Sequence, residues 1–233
     1  MKLCVIPARS NSKRIPRKNI KFFCGQSMIV YSIKTAIKSG CFDNVVVSTD
    51  DIKIAEIAKS FGASVPFLRP KKLANDHASV SSVLKHAIEW FNNHMQPPSE
   101  VCCIYATAPF LSPFAIRKAY NQLKRTDADY CFSATSFDGS IQRAIKITRE
   151  NRIKMFNPKY IKTKTQHLEK AFHDAGQFYW GKAKSWIAEK PILSKNTTAY
   201  ILPRYLVQDI DTPEDWKRAE LMYFVLKKNK GIK

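Results

Sequence analysis

Apolar and polar positions alternate between two periods along most of this chain. Short continuous apolar runs, of the kind that form strands buried on both faces, are separated by longer segments with apolar residues every three or four positions. "KLCVIPA" (2–8), "NVVVSTD" (44–50), "ASVPFL" (63–68), "VCCIYATAP" (101–109) and "DADYCFSAT" (127–135) read as strands. Between them lie helical patterns. Ser27 starts one that carries Ile29, Ile33, Ala36 and Ile37 on one face and stops at Gly40. "IKIAEIAKSF" is closed by Gly62, residues 79–94 form a long amphipathic helix, and residues 112–125 form another with Pro113 in its first turn. Strands separated by helices of this length predict a parallel sheet with right-handed crossovers, in a three-layer α/β domain.

The rhythm breaks at residue 138. "QRAIKITRENRIKMFN" predicts a hairpin turning at Glu150-Asn151, and the polar stretch "PKYIKTKTQHLEKAFHDAG" follows it. Alternation resumes with "QFYWG", "AYILP" and a helix from Pro213 to Lys228. Residues 1–233 therefore read as a single domain, with 138–175 inserted into the sheet plan as a dimerisation or substrate-covering arm.

Length and composition agree. A chain of 233 residues with 45% apolar positions can bury a sizeable core. No apolar run approaches the roughly 18 residues of a membrane span, and the opening "MKLCVIPARS" is too short in its apolar part for a signal peptide. Six cysteines show no CxxC spacing, and four sit in or beside apolar runs, which predicts a reducing, cytoplasmic setting without disulfides or structural zinc.

Charge changes the picture. The formal net charge is +20, and nine Lys or Arg precede the first acid, Asp43. Lysines on solvated helix faces would account for part of this, and an anionic partner for the rest. The cations concentrate in "IPARSNSKRIPRKN" (6–19), which holds Arg9, Lys13, Arg14, Arg17 and Lys18 and no acid. This loop leaves the first strand at its carboxyl end, where open α/β sheets bind ligands. Backbone N–H groups, the hydroxyls of Ser10 and Ser12 and several cations suit a phosphate chain. A solvated basic loop remains the plainer reading of the same residues. The chain has neither G-x-x-x-x-G-K-[ST] nor G-x-G-x-x-G, so neither a P-loop nor a dinucleotide fold is expected. A basic nucleic-acid-binding domain would explain the charge, but no nucleic-acid-reading motif is present.

Late in the chain, "QDIDTPEDW" places Asp209 and Asp211 two residues apart. In an extended segment both side chains share a face, where a divalent cation would relieve their repulsion. Capping of the next helix by Asp211 or Thr212 is the alternative. Asp50 and Asp51 form a second acidic pair, equally suited to capping the helix after them.

"IPARSNSKRIPRKNI", "FDNVVVSTDDIKIAEIAKSFGASVPFLRP", "YATAPFL" and "QDIDTPEDW", in that order over most of the chain, resemble the N-acylneuraminate cytidylyltransferase family. The family's more common form of the third motif is Gln-Pro-Thr-Ser-Pro, so Tyr105 stands where many relatives have glutamine. The resemblance implies a Rossmann-like nucleotide-diphospho-sugar transferase fold. It also implies CTP and a nonulosonic acid as substrates, Mg2+ as cofactor, and no nucleic acid or membrane as partner. By the same resemblance Arg9 and Lys18 contact the phosphates as catalytic residues, and Asn19 helps read the base. Arg69 lies near the cytosine ring, and Ala8, Ser10, Ser12 and Asp76 belong to the CTP side. Tyr105, Arg143, Gln166 and Gln177 face the sugar, and Asp209 and Asp211 hold the metal. A homodimer whose arm reaches the partner's pocket is the expected assembly.

Overall fold

The computed structural model describes residues 1–229. Its elements follow the chain in the order β1 (Lys2–Pro7), β2 (Phe22–Phe23), β3 (Gln26–Ser27), α1 (Met28–Ser39), β4 (Asn44–Ser48), α2 (Ile52–Ser60), α3 (Val80–His94), β5 (Glu100–Ile104), α4 (Pro113–Thr126) and β6 (Tyr130–Ser136). Then come β7 (Ile145–Ile147), β8 (Ile153–Met155), β9 (Phe172–Lys182), α5 (Ala183–Ile187), β10 (Thr197–Ile201) and α6 (Pro213–Lys228). Six strands form the central sheet in the order β10-β6-β9-β5-β1-β4. Pairs β1–β4, β1–β5 and β6–β10 are parallel, whereas β9 runs antiparallel to both β5 and β6.

Strand alternation explains the three layers. Cys4, Ile6, Val47, Cys102 and Ile104 point to one face and pack on α1, α2 and α4. Leu3, Val5, Val46, Val101 and Cys103 point to the other and pack on α3 and α5. Most helix ends match the capping residues in the sequence, but Ser27 precedes α1 without accepting a side-chain cap bond. Ser79, Ser112 and Asp51 each accept a hydrogen bond from the backbone N–H three positions on, and Gly40 ends α1 in the left-handed conformation at φ 63°. The expected apolar face of α1 is buried at Ile29, Ile33 and Ala36, but Ile37 is exposed.

Two sequence expectations change. Residues 63–68 form no strand; Ser64 and Leu68 each make one isolated bridge, to Val46 and Thr49. Pro66 lies between them and has no N–H to continue a ladder. The strand expected at 177–181 begins at Phe172, so residues 172–175 of the expected arm belong to the sheet. The arm leaves after Ser136 and returns at Phe172, residues that pair with each other, and the Phe137 N–H donates to Ala171 O at 3.1 Å across its neck. Within the arm, β7 and β8 pair as the expected hairpin. Among the described residues no helix is long and apolar enough to cross a membrane, and all six cysteines are free.

At the end of the sheet away from the carboxyl ends of β1 and β5, Asp129 is buried. It accepts hydrogen bonds from Ser185 Oγ at 2.6 Å, Asn196 Nδ2 at 2.8 Å and Lys190 Nζ at 2.9 Å. The Ser185 and Lys190 bonds hold its carboxyl well below the usual range. Because the folded-state value is depressed, the resulting stability is complete above the unfolded aspartate range and is lost as pH falls through the folded value. Asp129→Ala should cost about 2 kcal/mol at neutral pH by removing a charged acceptor from three donors, and urea unfolding at pH 7 checks it.

Candidate active site

The basic loop is held by apolar and polar anchors rather than left solvated. Ile15 is buried with Phe23, Met28, Tyr31, Phe110, Ile210 and Trp216 in a small cluster beneath α6. Burying such a side chain favours the closed loop by about 2 kcal/mol. Upstream, Ser10 donates through both its N–H (2.9 Å) and its hydroxyl (2.6 Å) to the Asp50 carboxylate. Asn19 Nδ2 donates to Arg9 O at 2.9 Å and ties the two ends together. Arg17 takes the left-handed conformation at φ 53° and turns outward, where its guanidinium meets Asp51 at 3.3 Å.

The other four loop cations share one cleft. Arg9, Lys13, Arg14 and Lys18 line a cleft of about 640 Å³ together with Ser12, Asn19, Arg69, Asn75, Asp76, Ser79 and Tyr105. This volume lies within the range of small-molecule sites, and the cleft opens at the carboxyl ends of β1 and β5. Arg69 forms its inner wall. The side chain is buried, donates through Nε to Ser48 Oγ at 3.1 Å and is also bonded to Ser48 O. Burial pushes its guanidinium down to about 10, against the pull of Asp50, so it stays charged at neutral pH. The Asp50 carboxyl is raised by burial, but its bonds from Ser10 and the Arg69 charge outweigh this and leave it below the usual range.

Ile210 brings the acidic motif to the same place. It is fully buried beside Ile15, so the residues flanking the two isoleucines become neighbours. Lys18 Nζ donates to Ile210 O at 2.6 Å and to Asp211 Oδ1 at 3.1 Å, and Arg14 meets the same Asp211 oxygen at 2.8 Å. Thr212, not Asp211, caps α6, through a capping box with Asp215. Asp209 lines a neighbouring cleft of about 540 Å³ with Thr135, His173, Asp174, Arg204 and Arg218. Desolvation, then the charge of Asp211, pushes the Asp209 carboxyl up; Lys18 and Arg14 act the other way. The two carboxylates thus flank a buried isoleucine and feel each other's charge.

Comparison with known proteins now has a site to attach to. The family model described as cytidylyltransferase matches residues 3–208. The chain is 45% identical to the pseudaminic acid cytidylyltransferase of Campylobacter jejuni subsp. jejuni serotype O:2, over 96% of each chain. It is 34% identical to the CMP-N,N'-diacetyllegionaminic acid synthase of Legionella pneumophila, over 94% of each. This chain belongs to the cytidylyltransferase family. Its fold matches that of a CMP:2-keto-3-deoxy-manno-octonic acid synthetase solved in complex with CTP, at a TM-score of 0.70 and 14% identity, over 95% of this chain and 98% of the other.

The sequence-derived site residues of this cytidylyltransferase divide in two. Arg9, Ser12, Lys18, Asn19, Arg69, Asp76 and Tyr105 come together in the main cleft. Ala8 and Ser10 lie beneath it: the Ala8 N–H donates to Ser48 O at 2.9 Å in the sheet, and both Ser10 donors serve Asp50. Asp51 caps α2 through Ile54 N–H, as its alternative reading had it. Gln177 is buried beneath Tyr105, whose N–H donates to Gln177 O at 2.9 Å. The Gln177 Nε2 donates to Leu206 O at 2.6 Å, and its Oε1 has no partner among the described residues. Arg143 is exposed on the arm, and Gln166 lines a separate cleft with Thr165, Lys170 and Arg204. Neither reaches the main cleft of the same chain. Lys13 and Arg14 were visible in the sequence only as loop cations; nothing periodic in the loop showed that they line this cleft.

A bulge in β9 shapes the wall behind Tyr105. Opposite β6 the register jumps between Phe132 and Ala134. Gly176 occupies the left-handed region at φ 61°, and its N–H donates to Asp174 Oδ1 at 2.8 Å. The other Asp174 oxygen accepts from the Tyr179 hydroxyl, and the Tyr179 ring lies 5.5 Å from that of Tyr105. Burial pushes the Tyr105 phenol up, so it stays a neutral donor at the cleft wall.

Proposed function

We propose that this chain transfers CMP from CTP to the anomeric hydroxyl of pseudaminic acid, a nine-carbon acidic sugar, and releases pyrophosphate, in support of surface-glycan or flagellin glycosylation. The observation that carries the reading is the convergence of Arg9, Lys13, Arg14, Lys18 and Arg69 on one cleft at the strand ends. The relative named for pseudaminic acid, 45% identical over nearly its full length, supports the choice of sugar.

Both substrates are anions, so their approach is unfavourable until charge is offset. Arg9 presents a planar fork to non-bridging oxygens, and Lys18 a compact ammonium to the departing pyrophosphate. Lys18 is fixed before the nucleotide arrives, so its stabilisation of charge that grows in the transition state requires little rearrangement. Asn19 and Arg69 serve the nucleoside end, while Tyr105, backed by the buried Gln177, serves the sugar. The remaining contribution is alignment of nucleophile and leaving group.

A magnesium requirement belongs to the same proposal. Among the described residues no three His, Cys, Asp or Glu form a metal-holding group. Magnesium bound through one or two carboxylates plus substrate phosphates needs no such group. Asp211 and Asp209 fit that pattern, since they flank the buried Ile210, and burial followed by the Asp211 charge pushes the Asp209 carboxyl up, a cost that a cation would relieve. When bound there, the ion would neutralise phosphate charge.

Arg143 and Gln166 fit this reading in a cytoplasmic homodimer whose arm covers the partner's cleft. Ile145, Ile147, Ile153, Phe156 and Ile161 are exposed on the arm, as an uncovered contact surface would leave them. Gel filtration at assay concentration should show a dimer, and a strict monomer would dismiss that part.

Pyrophosphate release should be measured with CTP and the other three nucleotides against pseudaminic, legionaminic and sialic acids. Release with CTP and pseudaminic acid above every other pair is the expected result. Preference for legionaminic acid would favour the chemistry named for the Legionella relative, and no release with any sugar acid would overturn the reading.

A further inference from the structure

Two carboxylates from distant segments each hold a pair of cleft cations. Asp211 takes Arg14 and Lys18. Asp76, from the loop ahead of α3, takes the other pair: Arg9 Nη1 lies 2.6 Å from its Oδ1 and Lys13 Nζ 2.5 Å from its Oδ2. Asp76 is the sole acid among the described residues lining the main cleft, against five cations. The Lys13 and Arg9 bonds hold its carboxyl below the usual range, so it is ionised at neutral pH.

A carboxylate with one oxygen on each of two cations makes the same kind of charge-assisted bonds that two phosphoryl oxygens would make. Arg9 and Lys13 cannot give their best geometry to Asp76 and to a phosphate chain at once. A carboxylate left beside incoming phosphate oxygens would also repel them. We propose that Asp76 is an internal stand-in for phosphate, displaced from Arg9 and Lys13 when a polyphosphate enters the cleft. Asp76 therefore keeps the two cations together in the free protein and lowers the affinity of the cleft, instead of adding a contact to the nucleotide. Its return as the charged product leaves recaptures both side chains and opposes product retention. That the polyphosphate is CTP rests on the reading above; the exchange itself concerns only phosphate charge.

Isothermal calorimetry with inorganic tripolyphosphate tests the exchange without CTP or sugar. Asp76→Asn keeps the shape and removes the charge. It should bind tripolyphosphate about three- to tenfold more tightly than wild type at low ionic strength, the range expected from releasing partly exposed ion pairs. The gain should shrink at high ionic strength, a dependence that a purely structural role would not produce. Asp76→Glu, which keeps the charge, should bind as wild type does, and Asp76→Ser repeats the measurement should the asparagine variant prove unstable. Unchanged or weaker binding in a folded, charge-free variant would overturn the proposal. A wild-type protein that binds tripolyphosphate yet releases no pyrophosphate from CTP would count against the enzymatic reading and leave this one standing.

Discussion

Lys18→Ala should lower kcat for CMP transfer about 10²- to 10³-fold, the loss typical of removing one preorganised charge-stabilising donor. Three observations set this expectation. Lys18 is the most enclosed of the loop cations, with 18% of its side chain exposed, so water replaces it poorly. It is fixed from two sides, by Ile210 O at 2.6 Å and Asp211 Oδ1 at 3.1 Å, and so meets the phosphate chain already oriented. It also belongs to the turn anchored by Ile15, whose burial does not depend on the lysine. The variant should therefore melt close to wild type, and steady-state pyrophosphate release beside a thermal melt checks both parts. Turnover at the wild-type rate would remove Lys18 from the chemistry. Arginine should not restore the rate in full, because its planar fork cannot occupy the lysine's place between a carbonyl and a carboxylate.

Asp211→Asn carries the second large expectation. In the ligand-free protein this carboxylate pairs with both Arg14 and Lys18, and its charge adds to burial in pushing up the carboxyl of its neighbour Asp209. The substitution removes one of two carboxylates proposed for magnesium, and the activity should then require at least about tenfold more of the ion for half-maximal rate. A tenfold shift corresponds to about 1.4 kcal/mol of lost binding, a modest demand for one anionic oxygen ligand. Titration of initial rate against magnesium at saturating CTP reads the effect directly. A titration that overlays the wild type would show that Asp211 serves only as a counter-ion to the basic loop. Because Thr212 and Asp215 form the capping box, α6 should keep its start in this variant.

The fold was legible where period and punctuation agreed. Helices α1, α3, α4 and α6 appear within a residue or two of where their apolar faces and caps place them. Residues 63–68 were misread because β-branched and aromatic composition outweighed Pro66, whose effect on a ladder is local and decisive. The direction of β9 was not legible at all: a buried apolar run looks the same parallel or antiparallel, and the arm before it hides where the chain turns back. Within the site, the charge of the basic loop and the spacing of Asp209 and Asp211 were plain. Their proximity was not, because it depends on Ile15 and Ile210 being buried in one cluster, and two isoleucines almost two hundred positions apart carry no mark of being neighbours. Ser10 shows the opposite limit. Its hydroxyl suits a phosphate, yet Asp50 claims it, and only coordinates reveal a competitor forty residues away.

The narrow neck between Ser136 and Phe172 makes the arm separable from the sheet. Both points stand on paired neighbouring strands, so the sheet experiences whatever lies between them as a loop whose ends already touch. Doubling the length of such an excursion adds only about 0.6 kcal/mol of closure entropy, so insertions, deletions or a wholesale swap with a relative are tolerated thermodynamically. The arm is thereby free to vary in length while the sheet and the cleft at its strand ends stay fixed, which makes this splice point the natural seam for chimeras that exchange arms between relatives.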